Sequence, residues 1–89
     1  MATTTLERAL MQESNLAKEY LAQRDFDAAF SHLETAHVLG QRQLFWHVRV
    51  HAGMLRVGWA RKDAREVIGQ IWRLLLTPLG HLTGRLPMG

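Results

Sequence analysis

His47 and His51 stand four residues apart in the run His47-Val48-Arg49-Val50-His51, where an amphipathic helix should carry the centre of its apolar face. At about 100° per residue over positions 41–60, Leu44, His47, Val48, His51, Met54, Leu55 and Gly58 share one side, and Arg42, Arg49 and Arg56 line the other. An imidazole on the inward side of a helix is costly unless something bonds it. Two readings therefore stand at this point. Either the rings are hydrogen-bonded members of a core, or they bind a metal.

The preceding segment supplies two more ligand-type side chains, Glu34 and His37, ahead of Gly40. If the second and third helices turn back on each other at Gly40, they run antiparallel. At 1.5 Å per residue, His37 lies about 5 Å from the turn, Glu34 about 9 Å, His47 about 10 Å and His51 about 16 Å. Cβ bonds lean toward a helix N-terminus, which tilts His37 and His51 toward the level shared by Glu34 and His47. Histidines at i and i+4 present two nitrogens on one face, and Glu34-x-x-His37 resembles the helical motif of di-iron carboxylate proteins. Glu34, His37, His47 and His51 are thus the candidate metal ligands. Three imidazoles and a carboxylate suit Zn, Fe, Co or Ni in the divalent state. In the alternative without metal, His37 and His47 bond Glu34, and His51 reaches a backbone carbonyl or Tyr20. A third possibility is direct binding of an organic anion. His32 is assigned to the outer face of its helix and His81 to a tail, both outside the site.

The elements that must position these residues are helices throughout. Strand-like alternation is absent, and Gly and Pro gather after residue 77. The pattern predicts helices over about 5–23, 26–39, 41–61 and 64–76. Thr4 or Thr5, Asp25 and Asp63 serve as N-caps, Gly40 as a C′ glycine, and Pro78 as the terminator of the fourth helix. Residues 1–77 then form one all-α, four-helix domain of two stacked helical hairpins, and 78–89 an irregular C-terminal tail. The spacing of Leu16, Ala17, Tyr20, Ala29, Leu33 and Ala36 is tetratricopeptide-like, with a weak second copy at a shift of 35 residues. Two hairpins are few for a binding solenoid.

Eighty-nine residues suffice for one small core. The absence of cysteine excludes disulfides, thiolate metal sites and thiol catalysis. The first residues lack the pattern of a signal peptide, and no uncharged stretch approaches the roughly 20 residues of a transmembrane span, so the expected location is the cytoplasm. Net charge is +3. Residues 1–40 carry three basic and six acidic side chains (−3), and residues 41–89 carry eight and two (+6). The stripe Arg42, Arg49, Arg56 with Arg61, Lys62 and Arg65 is read as a solvated face pairing with acidic groups. No recognition-helix turn or stacking aromatic series accompanies it, which disfavours nucleic acid.

Val67, Ile68, Ile71, Trp72, Leu74, Leu75 and Leu76 surround most of the fourth helix. A band that wide implies self-association, with a homodimer as the expectation and a membrane surface as the lesser alternative. Trp59 and Trp72 fit core or interface anchors, while Trp46 lies off the apolar centre. There is no serine nucleophile with a base at useful spacing, no phosphate-cradling Gly loop and no paired-carboxylate site. The expectation is a protein that is not an enzyme.

The segments Leu33-Glu34-Thr35-Ala36-His37-Val38-Leu39-Gly40-Gln41, His47-Val48-Arg49-Val50-His51 with Met54-Leu55, and Asp63-Ala64-Arg65-Glu66-Val67-Ile68-Gly69-Gln70 resemble a bacterial family known as domain of unknown function 3703. The likeness runs from about Leu16 to Arg73. It implies a small bacterial helical protein, assigns it no particular activity, and implies a Gly- and Asn-rich continuation that these residues do not include. Two functional readings result. The first is a non-catalytic protein that binds a divalent transition metal through Glu34, His37, His47 and His51. The alternative is a cofactor-free tetratricopeptide-like module for protein–protein interaction.

Overall fold

Three of the four helices begin where the sequence supplies a side chain to satisfy a free N–H group of the first turn. In the computed structural model, which describes residues 4–84, the four are α1 (Thr5–Ala22), α2 (Phe26–Gly40), α3 (Leu44–Ala60) and α4 (Ala64–Leu82). Thr4 Oγ1 accepts from Glu7 N, Asp25 Oδ1 from Ala28 N, and Asp63 Oδ1 from Glu66 N. Gln43, ahead of α3, makes no such bond. No strand occurs among the described residues.

The helices pair as α1 with α2 and α3 with α4, and α2 against α3 joins the two hairpins into a slab of 34 × 32 × 16 Å. Both hairpins turn in the same way. Arg24 and Lys62 take left-handed backbone conformations (φ 60° and 58°). The N–H of the capping aspartate then reaches back five residues, Asp25 to Tyr20 O and Asp63 to Gly58 O, each at 2.9 Å. Counting from Asp25 to Asp63, the structural repeat is 38 residues rather than 35. Extra residues in the helix pair and the α2–α3 turn lengthen it.

The buried apolar centre consists of Leu10, Ala17, Ala29, Leu33, Ala36, Val50, Met54 and Val57. Its three alanines let helices approach closely. Gly40 is not the left-handed C′ residue expected of it, because it lies within α2 and Gln41 is the cap. What it provides is proximity: a Cβ there would stand 2.9 Å from Trp46 Cβ and 3.0 Å from Leu10 Cδ2. Trp46 accordingly packs on the core, whereas Trp59 and Trp72 are exposed.

Pro78 does not end α4, and the irregular tail does not begin at residue 78. The helix continues through Leu82, with Pro78 inside it. The missing N–H costs one backbone bond to the preceding turn. Burial of Thr77, whose hydroxyl donates to Arg73 O, and the approach of His81 to α3 hold the following turn in place. More unexpected is the rotation of α4. Its two buried residues are polar, Gln70 and Thr77, while Ile68, Trp72, Leu75, Leu79 and Leu82 face outward.

Candidate metal centre

Helix α2 delivers His37 from its last turn, and α3 delivers His47 and His51 from its first two. The antiparallel crossing brings their rings together, with centroids 4.7–5.0 Å apart. His47 Nε2 lies 3.3 Å from His37 Nε2 and 3.0 Å from His51 Nε2. One ring nitrogen from each residue falls within 4.8 Å of the others. His47 and His51 are fully buried, and His37 is partly so.

Glu34 does not join this group. Its side chain is exposed, on the rim of a depression of about 250 Å³ that is also lined by Phe30, His37, Met54, Glu66, Gln70 and Arg73. Three positions along a helix turn about 300°, which sets Glu34 about 60° around α2 from His37, on its exposed side.

The surrounding contacts fix where the proton of His51 sits. Gln70 Nε2 donates to Glu66 Oε1 at 2.7 Å, so Gln70 Oε1 is left to face His51 Nδ1, also at 2.7 Å. A carbonyl oxygen only accepts, hence His51 carries its proton on Nδ1, and a neutral His51 presents a lone pair on Nε2. On the far side, His47 Nδ1 lies 3.2 Å from His81 Nε2. Burial pushes the His47 ring down to about 4, helped by the neighbouring His51, His37 and His81. Burial likewise lowers His37, with Arg73 adding to the effect. It lowers His51 against the opposing bond from Gln70. All three rings are therefore neutral near pH 7 and available as nitrogen donors.

Neutrality exposes a shortage of protons. His51 Nε2 can only accept, and His47 Nε2 carries at most one proton for two close nitrogen neighbours. Among neutral rings, no more than one of the 3.0 and 3.3 Å contacts can be a well-directed hydrogen bond. A cation among the three would resolve the conflict. Tetrahedral zinc at 2.0–2.1 Å from each nitrogen implies nitrogens roughly 3.3 Å apart, close to the two separations in the structure.

Of the four residues the spacing proposed, the fold gathers His37, His47 and His51; His81, assigned to a tail outside the site, reaches His47, and Gln70 was given no role. His32 was also misplaced, since its Nδ1 lies 2.6 Å from Glu13 Oε2 and its ring stacks on Tyr20, facing α1 rather than solvent. The 38-residue repeat was the available signal. It carries Glu13 to 51 and His32 to 70, so the Glu13–His32 contact in the first hairpin and His51–Gln70 in the second occupy the same place. Of the basic stripe, Arg61 pairs with Asp27 at 2.9 Å, and Arg49 lies over Phe45 and Trp46.

Small helical hairpins around a polar cluster define a structural class rather than an activity. Residues 4–89 match the profile of a family described as protein of unknown function (DUF3703), and the chain belongs to that family. No curated protein and no solved structure matches it.

Proposed function

We propose that this protein binds one divalent transition metal ion, among Zn, Fe, Co and Ni, through the Nε2 atoms of His37, His47 and His51. The observation that carries the reading is the convergence of three neutral ring nitrogens with too few protons to bond one another. The depression beside His37 is the access route, and the carboxylates of Glu34 and Glu66 at its wall attract a cation. Glu34 is the donor best placed to reach an ion from outside the trio. At about 250 Å³ the depression falls below the size of pockets that enclose drug-sized molecules, which favours holding a metal over transforming a substrate. Elemental analysis of protein purified without a histidine tag tests the reading. About one ion per chain is expected, and none in a His47→Ala, His51→Ala variant. Sub-stoichiometric metal in the wild type, or an unchanged content in the variant, overturns it.

A second reading concerns partners and rests on α4. Its outward residues Ile68, Trp72, Leu75, Leu79 and Leu82 recur at intervals of four and three, the seam of a two-helix coiled coil. At its N-terminal end the seam runs into an apolar depression lined by Trp59, Val67 and Ile68. A second copy of the chain, presenting the same stripe, is the occupant that matches it, in preference to a different protein docked on a tetratricopeptide-like module.

A further inference from the structure

The metal site draws its ligands from α2 and α3, yet the third sequence motif, Asp63 to Gln70, lies on α4 and supplies none. Its inward residues nonetheless end at the site. Asp63 caps α4 and so fixes Glu66 in the first turn. Gly58 lets that turn settle on α3, since a Cβ there would stand 3.0 Å from Glu66 Cγ and 3.4 Å from Val67 N. Glu66 holds the amide of Gln70, and Gln70 is 2% exposed with its oxygen on His51. One turn past Pro78, His81 takes up the outer nitrogen of His47.

We infer that Glu66, Gln70 and His81 are positioning residues, the first two presetting the tautomer of His51 and the third orienting the ring of His47, so that α4 sets the metal affinity of a site to which it gives no ligand. This inference rests on the metal reading above. The physical reason is orientation. A ligating imidazole needs its outer N–H engaged, or the ring can rotate and protonate the nitrogen that should bind. Carboxylate to amide to imidazole is a one-directional chain, because the carboxylate can only accept and thereby decides which end of Gln70 faces the ring. The equivalent contact in the first hairpin, Glu13 with His32, is a partly exposed pair with no second imidazole near it. Only the second hairpin has converted this crossing into a buried device that leaves a lone pair pointing inward.

The test uses the full chain and zinc alone, titrated in competition with a chromophoric chelator. Nitrogen-15 NMR of the histidine rings in metal-free protein reports the tautomers. For Gln70→Leu, zinc affinity should fall about 10- to 100-fold with stoichiometry retained, and His51 should lose its Nδ1–H tautomer. The double exchange Glu66→Gln, Gln70→Glu keeps an acceptor on His51 and a donor behind it, so it should restore both the tautomer and most of the affinity. This second variant also decides the matter if Gln70→Leu fails to fold, since loss of tautomer and affinity there overturns the inference. His81→Ala should lower affinity by a smaller factor. Zinc uptake by the wild type with unchanged affinity in Gln70→Leu overturns the inference and leaves the metal reading intact. Failure of the wild type to take up zinc removes both.

Discussion

Whether an imidazole serves as a base, a cation or a ligand depends on its proton, and burial has settled that for His47. Its ordinary value of 6.5 is lowered to about 4, while an unfolded chain would protonate the same ring near 6.5. As pH falls through that window the unfolded state binds more protons than the folded one, so stability declines. Above 6.5 both states hold a neutral ring, and the contribution is fully present. His37 and His51 are lowered in the same direction. The groups around them, His81, Arg73 and Glu66, do not reverse the sign. Metal-free protein should therefore show a midpoint of thermal unfolding that drops steadily from pH 7 to about 5.5, before carboxylates titrate appreciably. A midpoint that is flat or rises over that range would contradict the burial of neutral rings. Convergence of the three was legible in the sequence because residue spacing and one reversal of direction suffice to bring them level. Gln70 was not, because a lone glutamine on a helix with a broad apolar band reads as a surface residue.

At the scale of elements, the helices and three of their starts follow from local chemistry, whereas the uncapped start of α3, at Leu44 rather than 41, and two of the ends do not. Gly40 illustrates the difference. A glycine at the end of an apolar period reads as a left-handed cap, yet here its backbone is helical and its missing Cβ makes room for Trp46 and Leu10. The Gly40→Ala variant forces a Cβ to within 2.9 Å of another Cβ, and neither atom has a rotamer by which to escape. Denaturant unfolding should show a loss of about 1–3 kcal/mol. A left-handed cap of the kind first expected would also penalise alanine, but without moving Trp46. A change in Trp46 fluorescence accompanying the loss separates the two. Pro78 teaches the same lesson from the other direction. A proline stops a helix only if nothing beyond it gains from continuing, and His81 does, through its contact with His47.

The described residues form a thin slab with an apolar stripe along α4. An orientation of α4 that buries Gln70 and Thr77 leaves Trp72 60% and Leu82 84% exposed. Sedimentation of the wild type should give a dimer, and Leu75→Lys with Ile68→Glu should give a folded monomer. Because the seam lies on the opposite side of α4 from Gln70, the monomer should retain its metal. A wild type that sediments as a monomer at tens of micromolar concentration would exclude the paired arrangement.

Capping side chains and the period of the apolar residues made four helices, and the i, i+4 histidines with His37 ahead of a turn made a candidate site. Those are local properties, fixed by neighbours within a turn or two of helix. The rotation of α4 is not local. Its own stripe argued for burying Ile68 and Trp72, and only the packing of Gly58 against Glu66 and of His51 against Gln70 turned the polar side inward. A helix with two faces can satisfy its sequence in either orientation. The choice between them belongs to the partners it meets in the fold.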